Sequence, residues 1–275
     1  MFSNILINEE ETATIDYFGP DILRIFICSF VYCRSTNSRL INMNNGIIKC
    51  CTYNSNYAYR DTIFKSSNTA IFLYGNAMNN TQHTLFYRSE GNSLQMFHSN
   101  FSDTKSNYQG CISSNKVYFH EQKYVNFYKC GNDTGGASIS IDLGKSEVSY
   151  SNYIDIESGD DYAFILVGYG SETIFKRCFL RIKSFVSFLD TFNPKSNETV
   201  YFEDCTIIGK IQYNVPYLRT KNVIISPSKI DYTFANIPYL ETDIIDFDET
   251  ILYHCYQNTL NYFLLFLVLT SESPG

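Results

Sequence analysis

The sequence predicts an all-β chain, a right-handed parallel β-helix closed by terminal caps, and three observations carry that prediction. First, a short motif recurs: Phe, two residues, then Cys or Asn, at Phe30–Cys33, Phe97–Asn100, Phe127–Cys130, Phe175–Cys178 and Phe202–Cys205, with a copy lacking the Phe at Ser149–Asn152. The central copies end at 100, 130, 152, 178 and 205, so they are spaced by 30, 22, 26 and 27 residues, in the range of solenoid repeats. Second, each anchor is followed, across a polar turn, by a short apolar segment of strand character. Third, the apolar runs are built from Tyr, Phe, Ile, Val and Thr, which fit pleated surfaces. The chain has 23 Tyr and 22 Phe, and no Leu- and Ala-rich run of helical period interrupts them.

The elements follow in chain order. Residues 1–40 are expected to form an amino-terminal coil or cap. Within them, Ile22 to Cys33 is apolar apart from Arg24 and Ser29 and reads as buried strand. Residues 41–210 hold the clearest repeats. Here Gly110 to Ile112, Gly135 to Ile141, Tyr162 to Val167 and Phe185 to Leu189 follow their anchors, separated from them by turns such as Gly131-Asn132-Asp133-Thr134 and Glu157-Ser158-Gly159-Asp160-Asp161. The alternation is period two: Ser138, Ser140 and Asp142 oppose Ile139, Ile141 and Leu143. Val125, Ile174 and Val200 open similar short strands.

A unit of this size cannot bury its inner face alone. Stacking units about 4.8 Å apart buries one continuous column. Phe127, Phe175 and Phe202 are then expected to pile into one aromatic column. Cys130, Asn152, Cys178 and Cys205 are expected to form one internal ladder, with Asn amides hydrogen-bonding from coil to coil. Residues 211–275 are expected to be irregular final coils and a cap. Four prolines (Pro194, Pro216, Pro227 and Pro238) mark where the repeat weakens. Leu260 to Leu269 is apolar apart from Asn261, but ten residues fall short of the roughly 20 a membrane-spanning helix needs, so it reads as a terminal core element, with an interfacial segment or a truncated anchor as alternatives.

Composition narrows the function. The net charge is −7, from 21 basic and 28 acidic residues. Lys and Arg are scattered singly, without the basic stripe that phosphate backbones or anionic lipid demand, which argues against a nucleic-acid partner. The nine cysteines contain no Cys-x-x-Cys pair, and His83, His98, His120 and His254 lie far apart. No metal or cofactor is therefore expected, and the cysteines read as buried thiols acting as small hydrophobes. The amino terminus carries Glu9, Glu10 and Glu11 before its first basic residue, Arg24, and so lacks the pattern of a secretory leader.

Phe97–Asn100 and Gly135-Gly136-Ala137 resemble the polymorphic membrane protein repeats of chlamydial type, and the related surface-protein families of parasitic protists, over about residues 90–210. Ser138 departs from the apolar residue that family places next, and the Cys endings at 33, 130, 178 and 205 are variants of its Phe-x-x-Asn. The resemblance implies a right-handed β-helix displayed at a cell surface for adhesion or antigenic display, with a host or cell-surface glycan or protein as partner.

A rival enzyme reading rests on Ser158-Gly159-Asp160-Asp161-Tyr162-Ala163, which is similar to the paired-aspartate motif of polygalacturonase-type glycoside hydrolases. Asp133 lies upstream, and Arg181-Ile182-Lys183 resembles their clamp for the substrate carboxylate. The implied chemistry is inverting hydrolysis by paired carboxyl groups, with the anionic sugar held by Arg181 and Lys183. That family places a Gly-His-Gly between these elements, whereas this chain has no His between 121 and 253. The Gly159-Asp160-Asp161 segment therefore reads as a solvated turn, and the chain as non-enzymatic. A calcium-dependent lyase would need Asp155, Asp160 and Asp161 as ligands, and no Arg base accompanies them. Cys50-Cys51 reads as one side chain in and one out of a strand rather than a redox pair. Sequons occur at Asn79, Asn100, Asn132 and Asn197, with Asn100 expected inside the ladder and unmodified. Exposed Tyr and Asn on a solenoid face are candidate contacts for carbohydrate or protein, since Tyr joins an apolar ring to a polar tip.

Overall fold

A short strand that alternates apolar and polar residues has one face to bury and no partner inside its own unit, so it pairs with its copy one rung away. A computed structural model of the chain describes residues 2–3, 6–7, 13, 15–35, 39–49, 51–54, 56–58, 64–78, 80–82, 87–106, 112–115, 117–132, 139–142, 144–157, 163–168, 170–184, 187–191, 197–209 and 217–226. Among these residues all regular structure is strand, all of it paired in parallel, and the stack is a parallel β-helix.

Four ladders run along it. The first passes from Ile15 through Ile41, Phe64, Tyr87, Ile112, Ile139 and Ile165 to Leu189. The second includes Gly46, Ala70, Leu94, His120, Ser146, Thr173, Val200 and Leu218. The third runs from Phe2 through Phe30, Tyr53, Ala77, Phe101, Phe127, Tyr153, Leu180 and Ile207 to Ile225. A short fourth ladder joins Leu6, Arg34, Tyr57, Thr81, Lys105 and Gly131. Pairing is present at Phe2–Ser3, and Leu218–Lys221 and Ile224–Ser226 extend the second and third ladders, so ladder strands lie on both sides of the 41–210 span. By its contacts the chain divides into residues 1–230 and 231–275, and the second unit, with Leu260 to Leu269, lies outside the described residues.

The aromatic column differs from the expected one. Phe175 and Phe202 stack in the second ladder, with centroids 4.8 Å apart and planes within 12°. Phe127 belongs to the third ladder, between Phe101 at 4.9 Å and Tyr153 at 5.0 Å. All of these rings share one core, but they occupy two adjacent columns. The third ladder's stack is interrupted at Ala77, and the gap is filled from the second ladder. Phe72 leans across, with centroids 6.1 Å from Tyr53 and 5.8 Å from Phe101. Gly75 makes room for it, because a Cβ there would run into the Phe72 ring.

The physical reason for the split is that the repeated motif marks a corner, and each rung turns two corners of the same local sequence. At Phe30, Phe127, Phe175 and Phe202 the Phe faces inward, the third residue adopts the left-handed conformation and the fourth faces inward again, whereas the expected copy Phe97–Asn100 is out of register: Met96 takes the inward place, Phe97 is half-buried, and His98 is the left-handed residue. Between the second and third ladders the left-handed residues are Ile27, Tyr74, His98, Tyr124, Tyr150, Arg177, Asp204 and Asn222; between the third and fourth they are Tyr32, Asp103, Lys129 and Asp155. All have φ between 47° and 56°. At most corners the inward fourth residue is small and carries a donor, the exceptions among the described residues being Gly75, Val125, Ile156 and Val223. Cys51, Cys130, Cys178 and Cys205 each donate Sγ–H to the carbonyl two residues back, at 3.3–3.5 Å. Ser99, Thr104 and Ser151 do the same through hydroxyls. At several rungs that carbonyl also accepts the N–H of the left-handed residue one rung below, as Lys176 O does from Tyr150 and Glu203 O from Arg177. Both lone pairs are used, so Cys and Ser are interchangeable here.

The expected mixed ladder is corrected by the same logic. Cys178 and Cys205 are rung neighbours, and the Cys178 N–H donates to Cys205 Sγ at 3.4 Å. Cys130 sits at the other corner, and Asn152 lies one position past Ser151, which holds the Cys178 column. The amides have a ladder of their own: Asn152 Nδ2 donates to Asn126 Oδ1 at 2.7 Å, and Asn126 Nδ2 to Asn100 Oδ1 at 2.9 Å. It stops where Phe179 follows Asn152, leaving the buried Asn152 Oδ1 without a partner among the described residues. At the second corner Asn56 and Asn80 hold adjacent rungs together. Asn56 Nδ2 donates to Phe30 O at 3.0 Å, and Asn80 Nδ2 donates to Tyr53 O at 3.0 Å.

One stretch of the interior is polar. His120, Ser146 and Thr173 face inward on consecutive rungs, all buried. His120 Nδ1 lies 2.9 Å from Ser146 Oγ, while Nε2 has no partner among the described residues. Burial pushes the His120 pKa down to about 4.

Candidate functional site

A left-handed residue at a corner points away from the core, so the first corner builds an external ridge with one side chain per rung. Four consecutive rungs place aromatic rings there. Tyr74 and His98 stack at 5.1 Å with planes within 10°, His98 and Tyr124 at 4.8 Å, and Tyr124 and Tyr150 at 5.1 Å. All four are half-buried, flanked by their own neighbours and open along one edge. Bulky residues rarely adopt this backbone conformation, at about 1–2 kcal/mol each. The three stacked pairs return about 0.5–1.5 kcal/mol each, which offsets part of that strain. Stacking thus explains why Tyr and His hold positions where Gly or Asn would be easier.

Two cations flank the ridge at Tyr124 and Tyr150, and Asp204 follows Arg177 as the next outward residue. Lys123 Nζ lies 5.2 Å from the Tyr124 centroid and 5.7 Å from that of Tyr150. The Arg177 guanidinium sits 5.4 Å from the Tyr150 centroid and donates to the Tyr150 hydroxyl. Arg177 also reaches Asp204, at 4.0 Å. The second corner is different in kind: its outward residues Asp103, Lys129 and Asp155 alternate in charge. Asp155 accepts a bidentate pair from Arg181, at 2.9 and 3.0 Å.

This geometry bears on the enzyme reading. Arg181, one half of the expected clamp, is engaged with the carboxylate of the neighbouring rung. Asp133, Asp160 and Asp161 lie outside the described residues, and Lys183 belongs to the strand Phe179–Ser184. Among the described residues no group of three or more His, Cys, Asp or Glu is placed to hold a metal, and no helix is long and apolar enough to cross a membrane. Cys51 is fully buried, and Cys50 lies outside the described residues. Of the sequons, Asn197 is exposed, Asn100 accepts the ladder bond from Asn126, and Asn79 lies outside the described residues. Asn132 ends the strand Gly131–Asn132, while Gly135-Gly136-Ala137 falls outside.

In comparisons with known proteins, no family model, curated protein or solved structure matched the chain. The ridge was missed in the sequence because its members are of different residue types. The available signal was positional: each is the residue just before the inward one, as Tyr150 precedes Ser151 and Arg177 precedes Cys178.

Proposed function

We propose that this chain is a non-enzymatic display solenoid of the adhesion class that holds a protein partner on the tyrosine ridge. The observation that supports this is the outward stack Tyr74–His98–Tyr124–Tyr150, four rings fixed by one another before any partner arrives. Side chains whose rotamers are already set lose little freedom on binding, and tyrosine is the residue that exploits this at recognition surfaces. Both faces of His98 and Tyr124 are occupied by neighbouring rings, so along the middle of the ridge edges and hydroxyls are what a partner meets. That favours a protein surface over a sugar ring, which stacks on an open aromatic face. Lys123 and Arg177 favour a partner with acidic groups opposite them. The cell-surface setting rests on the resemblance of Phe97–Asn100 and Gly135–Ala137 to surface-display repeats.

Beads coated with the chain are expected to attach to cultured animal cells. Protease treatment of the cells should abolish attachment, and glycosidase treatment should not. The Tyr124→Ser/Tyr150→Ser double variant should attach at least about tenfold less, as expected when anchors are removed from an interface. Equal attachment by that variant would refute the ridge as the contact. Polygalacturonate is expected to yield no new reducing ends; a release abolished by Asp160→Asn would replace this reading with the hydrolase one.

A further inference from the structure

The inward column at the first corner carries two pairs of cysteines on adjacent rungs, Cys28 with Cys51 and Cys178 with Cys205, and the two pairs differ in access. Ser29 is paired with Thr52, and the Thr52 N–H donates to the Cys28 carbonyl at 2.9 Å, which sets Cys28 and Cys51 directly one above the other. Adjacent rungs hold Cα atoms about 4.8 Å apart, inside the roughly 4.4–6.8 Å window of a disulfide. Cys28 is half-buried near the amino-terminal end, beside the exposed Phe26 and Ile27, while Cys51 is fully buried behind it. The second pair is buried throughout, at 3 % and 1 % exposure.

We propose that Cys28 and Cys51 form a thiol–disulfide site that closes by reaction with a low-molecular-weight disulfide such as oxidised glutathione, with Cys28 attacking and Cys51 resolving. The Cys28 thiolate attacks one sulfur of the reagent, whose disulfide bond breaks. A mixed disulfide forms and the first small thiolate leaves. Cys51 passes its proton to the departing small thiolate at the mouth of the site and attacks Cys28 Sγ, expelling the second small thiolate, which takes a proton from solvent. Two protein thiols are oxidised to one disulfide and one small disulfide is reduced to two thiols, so electrons balance. The hydrogen bond with the Cys51 thiol lowers the Cys28 pKa to about 7, which supplies thiolate near neutral pH. In the second pair the hydrogen bond with Cys178 likewise lowers the Cys205 thiol while burial pushes Cys178 well up, and what keeps this pair reduced is that both sulfurs lie buried out of reach of a small disulfide. The closed bond would tie the rung of Ser29–Val31 to that of Thr52–Asn54.

The test exposes the full chain to oxidised glutathione at pH 7.5, quenches with acid and an alkylating reagent, and maps peptides by mass. The expected result is a Cys28–Cys51 cross-link with Cys178 and Cys205 alkylated, and proteolysis of the amino-terminal rungs slowed at least about tenfold. Cys51→Ser, with folding checked by circular dichroism, should accumulate a stable Cys28–glutathione adduct, and Cys50→Ser should cross-link as the parent does. A Cys28–Cys50 bond, an unresolved adduct in the parent chain, or oxidation of Cys178 and Cys205 at an equal rate would overturn the proposal.

Discussion

Asn126 is the middle of a three-member amide chain, donating to Asn100 and accepting from Asn152, with 8 % of its surface exposed. Asn126→Ala strips a partner from both neighbours, so it should cost about 2–3 kcal/mol in urea unfolding. Asn152→Ala should cost less, because Asn152 Oδ1 already lacks a partner among the described residues. His120 gives a second prediction at this scale. Above pH 6.5 the imidazole is neutral whether the chain is folded or not. Below it the unfolded chain takes up a proton, while the folded interior refuses one until about pH 4. Stability should therefore fall as pH drops through this window, by about 1.4 kcal/mol per unit and near 3 kcal/mol in total. His120→Asn, which removes the titrating group, should lack this component when unfolding curves are compared between pH 7 and pH 4.

At the scale of the element, the crossing of Phe72 into the third ladder makes a testable exchange. Phe72→Ala should cost about 3–5 kcal/mol, because it empties the space between Tyr53 and Phe101. Ala77→Phe alone should overpack that space, at about 1–3 kcal/mol. Combined, the new ring at 77 takes the vacated place and the double variant should be more stable than Phe72→Ala by urea midpoint. The same elements mark what was legible in the sequence. Strand alternation and the Phe-x-x-Cys motif identified the stack, but the expected ladder of Cys130, Asn152, Cys178 and Cys205 does not form, and Asn152 bonds instead to Asn126 and through it to Asn100. The assignment of motifs to columns was not legible, because Phe127-Tyr128-Lys129-Cys130 and Phe175-Lys176-Arg177-Cys178 have the same in-out-left-handed-in pattern at different corners. Local sequence dictates the turn; only the rung length between turns decides which corner it is. The ridge was hidden for a related reason, since the left-handed conformation at Tyr74, His98 and Tyr124 is imposed by neighbouring rungs rather than by these side chains' own preferences.

For the whole molecule, stability is a sum over rungs and the contacts between neighbours. Phe101 and Phe127 are equivalent positions 26 residues apart. Deleting residues 102–127 joins Phe101 to Tyr128-Lys129-Cys130 and recreates the corner motif, so the shortened chain should retain a parallel-strand circular dichroism spectrum and unfold cooperatively with a smaller denaturant slope. Deleting residues 102–114 instead throws inward residues outward, and that chain should not fold. The spacing between equivalent rungs varies only from 23 to 27 residues along most of the stack. A gene for such a chain can therefore lose or duplicate a whole rung by recombination and still encode a folded product, so variants of unequal length should differ in multiples of that unit, lengthening or shortening the tyrosine ridge one ring at a time.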